Sequence, residues 1–281
     1  MTATRLQDGA AYLERLGFAS TPAATLETLA ELQARHTARF PFETLANFLR
    51  DPVPIDLPFV ERKILREGRG GYCFELNKLF LALLRQLGFD ARPLTARVLI
   101  HARPGVPTAR THLLILVMLH GLPYITDVGF GGLVPTAPLR LDIVAPQPTP
   151  HEIFRIVPDA ARYTLQALVD GDTRDLYVFD LQEQEEIDFT VGNWFVSTHP
   201  DSPFRDRLAA SRTGPGYRKT LNNTEFAVHR PGAPATRLQL ADAQSVVHTL
   251  RHDFGIAIPP KSEFHQRLEQ AITSKLFLHA G

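Results

Sequence analysis

Cysteine occurs once in 281 residues, at position 73. A lone cysteine excludes an internal disulfide framework and points to a reducing compartment, so a cytoplasmic protein is expected. No charge of either sign dominates, since Lys plus Arg and Asp plus Glu number 30 each. That balance argues against nucleic acid or an anionic membrane as a bulk partner. No run of about 18 apolar residues is present to span a membrane. The N-terminal MTATRLQDGAAYLERLGF lacks the basic-then-apolar order of a secretory signal. The GxSxG elbow, the GxxxxGK[ST] phosphate loop and cysteine-rich metal patterns are also missing, so no metal is expected. HEIFR, from His151, lacks the second histidine of a zinc HExxH helix, and GRGGYC matches a dinucleotide fingerprint only in part. What is there is ample apolar material, 44% of residues, enough for a sizeable core spread over two or three units.

Helical periodicity runs through the first ninety residues. Leu6, Ala10, Leu13 and Leu16 recur at helical spacing before Gly17. Thr21-Pro22 reads as an N-cap and first-turn proline, with Leu26, Leu29 and Leu32 on one face. Further helices are predicted over 58–67, stopped by Gly68, and over 72–87, stopped by Gly88. The period then changes. Segments 94–100, 111–119, 123–128, 152–157, 161–169 and 175–181 are short and separated by Gly/Pro-rich turns, as in an antiparallel sheet or barrel. Residues 188–198 read as a connecting helix capped by Asp188. The tail holds a meander turning at Asn222-Asn223 and Pro231-Gly232, then helices over 242–253 and 262–276 broken by Pro259-Pro260. Three units are expected: helical 1–88, strands and a connecting helix over 89–200, and mixed elements over 201–281.

The stretch RGGYCFELN (69–77) places Cys73 after a glycine pair, in the first turn of a predicted helix. Unpaired N–H groups and the helix dipole favour an anion there and raise the thiolate fraction. A small buried hydrophobe is the ordinary alternative. A thiolate nucleophile needs a base and something to orient it. Of the eleven histidines, His36, His229, His248 and His252 read as solvated, while His199 stays open on pattern alone. His112 differs, heading the apolar run LLILVML, where a polar residue is costly without a partner. With His120-Gly121 as the turn, 119 faces 122 and 114 faces 127. His112 is then a diagonal neighbour of Asp127, about 7–8 Å away at the backbone. Either the two form a buried pair that fixes register, or they complete a Cys73–His112–Asp127 triad.

RGGYCFELN, RTHLLILV around His112 and DVGFGG from Asp127 resemble segments of the arylamine N-acetyltransferases, as do PFETL at 41–45 and STHPDSPF at 197–204. Thr44 stands where that family usually has asparagine. The resemblance implies an α+β fold: an N-terminal helical bundle, a central antiparallel β-barrel and a C-terminal α/β lid around a cysteine-protease-like Cys-His-Asp core. It implies ping-pong transfer of acetyl from acetyl-CoA to arylamines, arylhydrazines or arylhydroxylamines through acetyl-Cys73. It places Phe42, Phe130 and Phe204 near the substrate pocket; by their place beside the site, Arg69 and Thr111 are coenzyme candidates, and Gly129 and Gly131 keep the strand end open for substrate or cofactor. Each has an ordinary reading too: core phenylalanines, a plain tight turn for Gly129, Gly131 and Gly132, and a helix cap or surface ion pair for Arg69. The basic loop HARPGVPTAR reads as solvated, with guidance of a phosphorylated cofactor as the alternative. Two rival activities use the same three residues. One is amide-forming release of an aromatic-amine-primed polyketide; the other is hydrolysis.

Overall fold

Helix starts follow the side chains able to cap them. The computed structural model describes residues 5–100, 102–103, 105–259 and 262–274. Helix α1 (Gly9–Arg15) starts at Asp8, whose carboxylate accepts the Ala11 N–H at 3.1 Å. Helix α2 (Leu26–Arg39) starts at Thr25 rather than Thr21, because the Thr25 hydroxyl takes the Thr28 N–H and Glu27 complements the dipole. A two-residue strand, β1 (Phe42–Glu43), and a short α3 (Leu45–Leu49) follow. Helix α4 (Leu57–Glu61), capped by Asp56, runs into a π turn (Arg62–Arg66) that buries three consecutive residues, Lys63, Ile64 and Leu65. Helix α5 (Cys73–Gln86) then packs its apolar residues into a core shared with Tyr12, Leu29, Leu32 and Phe40.

Eight antiparallel strands come next: β2 (Asp90–Val98), β3 (Arg110–Leu119), β4 (Leu122–Thr126), β5 (Leu139–Arg140), β6 (Gln147–Pro148), β7 (Ile153–Asp159), β8 (Arg162–Val169) and β9 (Asp172–Asp180). Their order, β5-β4-β3-β2-β9-β8-β7-β6, curls into a nearly closed barrel around Leu94, Leu114, Phe154, Leu165 and Phe179. At the seam a side chain replaces a strand pair. The Gln147 amide accepts from Arg140 N and donates to Arg140 O, each at 2.8 Å. His120 and Gly121 both take positive φ in the β3–β4 turn, which sets Leu119 opposite Leu122 and Ile115 opposite Thr126.

Helix α6 (Glu186–Thr198) leads out of the barrel. Its cap is Glu185, not Asp188; Asp188 sits one turn in and takes the Glu185 N–H at 2.8 Å, a capping box. Phe189, Gly192, Asn193 and Val196 face inward, while Ile187, Val191 and Trp194, the chain's sole tryptophan, face out, Trp194 59% exposed. A 3₁₀ turn (Pro203–Arg205) precedes β10 (Ala209–Gly214), β11 (Tyr217–Asn222), β12 (Glu225–Arg230) and β13 (Ala233–Gln239). These strands form a second sheet with β1 at its edge. The β11–β12 turn is Asn223-Thr224, one residue later than expected, because Asn223 supplies the positive φ. Helices α7 (Ala243–His252) and α8 (Ser262–Thr273) cover this sheet around Val246, Leu250, Phe254 and Phe264. His101 and Pro104 of the basic loop, Pro260, and the last two residues predicted for the final helix lie outside the described residues. Bundle, barrel and lid thus follow one another along the chain. Among the described residues no helix is long and apolar enough to cross a membrane.

Candidate active site

Cys73 owes its setting to two close approaches. A Cβ on Gly70 would stand 2.1 Å from Pro41 O, and one on Gly71 would stand 2.8 Å from Glu75 Cβ. Neither glycine has positive φ, so contact rather than turn geometry demands them. The packed turn delivers Tyr72 as N-cap of α5, its N–H held by Glu75 Oε2 at 3.1 Å. Cys73 therefore heads the helix, in its first turn. Its thiol reaches the Thr111 carbonyl at 3.5 Å and neighbours the His112 ring.

The β3–β4 register carries His112 to Asp127. Nε2–H of His112 donates to Asp127 Oδ2 at 2.7 Å, which leaves Nδ1 as the nitrogen for the sulfur. Burial pushes the imidazole down, but the Asp127 charge and hydrogen bond, with Cys73 opposite, push it up to about 10. Burial also opposes the Asp127 charge, yet His112, Asn77 and the Gly129 N–H hold its carboxyl below the usual range. Asp127 accepts from Asn77 Nδ2 and Gly129 N at 2.8 Å each, and from the Tyr177 hydroxyl at 3.1 Å. A Cβ on Gly129 would lie 2.7 Å from Cys73 Cα, so the chain after Asp127 presses directly on the start of α5.

Three contributors escaped the sequence reading. Asn77 donates to Leu113 O and Asp127, and accepts from Val128 N at 2.9 Å. Its signal was its place four residues after Cys73, on the same helix face. Tyr177 on β9 and Gln33 on α2, which donates to Asp127 O and Pro135 O, come from distant segments with no local motif.

The expected aromatics gather here. Phe42 and Phe204 join the apolar cluster of Tyr72, Cys73 and Phe74, edge to face with each other at 6.1 Å. Phe130 stands edge-on to His112 at 5.1 Å and to Tyr177 at 5.0 Å. Gly131, at φ +89°, passes over the Phe42 ring, and Gly132 faces Thr220. Thr111 meets the sulfur through its carbonyl, while its hydroxyl turns to Ala109 O at 3.4 Å. Arg69 turns inward: Nε and Nη2 both donate to Glu43 Oε1, at 2.9 and 2.7 Å. With only 5% of Cys73, 2% of His112 and none of Asp127 exposed, the site is nearly sealed.

The remaining histidines lie elsewhere, and one reading is corrected. His36 is fully buried among Tyr12, Phe40 and Phe80, not solvated, because it extends the Leu29, Leu32, Gln33 face of α2. His199 caps the end of α6 and stacks on Phe195 at 4.5 Å. His151 lies between Thr136 and Gly214 O. His229 lines a cavity of about 220 Å³ at the barrel–lid seam with Arg218, Arg230 and Glu152. Thr220 links that cavity to the site, since its methyl faces Gly132 and its hydroxyl lies 3.5 Å from His229 Nε2. Among the described residues no group of three or more His, Cys, Asp or Glu side chains is placed to hold a metal ion.

Residues 25–263 match the family model described as N-acetyltransferase. The arylamine N-acetyltransferase of Mycobacterium tuberculosis is 39% identical over 256 residues, covering 89% of this chain and 90% of that protein. An arylamine N-acetyltransferase / N-hydroxyarylamine O-acetyltransferase of Salmonella typhimurium is 36% identical, covering 88% of each. The solved structure of Mycobacterium marinum arylamine N-acetyltransferase in complex with CoA superposes with a TM-score of 0.89 at 36% identity, covering 94% of this chain and 99% of that one. A helix-borne cysteine beside a histidine–aspartate pair, carried on this bundle, barrel and lid, places the chain in the arylamine N-acetyltransferase family.

Proposed function

We propose that the protein transfers the acetyl group of acetyl-CoA to arylamines, arylhydrazines and arylhydroxylamines, with Cys73 as nucleophile, His112 as base and Asp127 as its orienter. The hydrogen-bonded His112–Asp127 pair beside a helix-heading thiol carries this reading, because it favours a thiolate–imidazolium pair at neutral pH. The thiolate attacks the thioester carbonyl, and the first-turn N–H of Cys73 is a donor for the oxyanion. The carbon–sulfur bond to CoA breaks, and CoA leaves as a thiolate that takes the His112 proton. An amine then attacks acetyl-Cys73, His112 accepts its proton, and the Cys73 thiolate is restored. Asp127 keeps the ring oriented through both halves.

The walls fit the same reading. Phe42, Phe130 and Phe204 give an apolar seat for an aromatic acceptor and keep water from acetyl-Cys73. For the coenzyme, Arg218 and Arg230 supply cationic groups to phosphate beside His229, which burial and the neighbouring arginines push down to about 4, reached from the site past Gly131, Gly132 and Thr220. The lone cysteine suits a reducing cytoplasm.

The test follows CoA release from acetyl-CoA with and without an arylhydrazine, in wild type and Cys73→Ala. Sustained release that needs the hydrazine and vanishes in the variant is expected. Equal release without it means a hydrolase, and no release from folded protein means another acyl donor, such as a carrier-bound polyketide.

A further inference from the structure

Four charged side chains are sealed together beside the turn that presents Cys73: Glu43, Lys63, Arg69 and Glu75, exposed by 0%, 7%, 13% and 1%. Lys63 Nζ lies 2.6 Å from Glu75 Oε1 and 4.0 Å from Glu43 Oε1, while Arg69 engages Glu43. The four cancel, two cations to two carboxylates. The carboxylates also hold backbone. Glu75 Oε2 accepts the Tyr72 N–H, and Glu43 Oε2 accepts the Leu45 N–H at 2.6 Å. Glu43 N in turn donates to Gly71 O at 2.9 Å. Lys63 is aimed inward by the π turn, itself braced from outside. The Arg15 guanidinium caps the carbonyls of Ile64 and Leu65, and the Glu61 carboxylate takes the Gln7 and Asp8 N–H groups at 3.0 Å each.

From this we infer that Lys63 is a positioning residue for Cys73: its ion pair holds Glu75 where that side chain fixes the Tyr72 N–H and the first turn of α5, and offsets the carboxylate's charge beside the sulfur. The inference rests on Cys73 being the nucleophile. Cys73 is faced by His112, with Asp127 behind it, and by the Tyr72 phenol, which feels the charges of both Cys73 and Glu75. Glu75 is faced by Lys63 from the π turn and Glu43 from β1, with Arg69 on the far side of Glu43. Removing Lys63 leaves the Glu75 charge buried without its paired cation, two residues from the thiolate it opposes. That slows the sulfur.

Cys73 is the only cysteine, so iodoacetamide labelling read by intact mass reports it alone, without any acyl substrate. Labelling rates from pH 5 to 9 should show Lys63→Met reacting about tenfold more slowly at pH 7, with its midpoint displaced upward, and Lys63→Arg restoring the wild-type profile. Lys63→Met/Glu75→Gln removes both charges and keeps an acceptor for Tyr72 N–H. It should recover most of the rate, and it carries the test if Lys63→Met alone fails to fold. A Lys63→Met protein that melts lower but labels like wild type overturns the inference, as does a double variant that folds yet labels no faster than the single. Retained acetyl transfer in Cys73→Ala would instead sink the assignment of the nucleophile, which the labelling experiment does not touch.

Discussion

Two buried histidines with opposite surroundings show how partners, not burial, set a residue's role. His112 has a carboxylate and is pushed up to about 10; His36 has aromatic rings and, among the described residues, no hydrogen-bond partner for either ring nitrogen, and burial pushes it down to about 3. The sign for His36 follows from linkage. Unfolded chain binds its proton below about 6.5, native protein only below about 3. Acid between those values therefore favours unfolding, and stability unaffected above 6.5 falls by about 3 kcal/mol at pH 4 from this group alone. His36→Phe should remove that share. Urea titrations at pH 7 and pH 4 are expected to show a loss between the two pH values about 3 kcal/mol smaller than in wild type. An unchanged loss would mean that His36 is already protonated or exposed in the native protein.

Between elements, the decisive contact is the end of β4 against the start of α5. Gly129→Ala would drive a Cβ to 2.7 Å from Cys73 Cα and 3.2 Å from Cys73 O, both backbone-anchored. We expect it to cost about 1–3 kcal/mol and to lower kcat more than it raises KM, because the displaced group is the proposed nucleophile. Thermal melts and steady-state kinetics measure the two effects. A stable Gly129→Ala enzyme with normal kcat would show that this contact yields freely. The meeting of His112 and Asp127 was legible because a two-residue His120-Gly121 turn directly joining two strands fixes which residues face each other. The α2 start was misplaced because Thr21-Pro22 and Thr25 both read as helix starts, and it is the Thr25 hydroxyl that takes an N–H, from Thr28. The π turn, the two-residue strands β5 and β6, and the Tyr177 and Gln33 contacts leave no local periodicity to read. His36 was read by residue type, although its spacing from Leu29, Leu32 and Gln33 marks it as inward-facing.

At the scale of the whole molecule, bundle, barrel and lid each hand something to one seam. The bundle brings Cys73, the barrel His112 and Asp127, and the lid the strand that carries Arg218 and Thr220. If coenzyme phosphate is met at that seam, Arg230→Gln should raise KM for acetyl-CoA about three- to tenfold with kcat unchanged. The gap from wild type should narrow as salt is added. Initial rates at low and high ionic strength decide it, and a KM that does not move would put the phosphates elsewhere. Trp194 bears on how any of these variants is monitored. The only indole already stands in water on the outer face of α6, so its emission is red-shifted before denaturation begins. A melt followed by tryptophan wavelength would be almost silent while the barrel came apart, and circular dichroism is the signal to trust. The same indole, open to acrylamide, serves as a label-free gauge of whatever comes to rest on that helix.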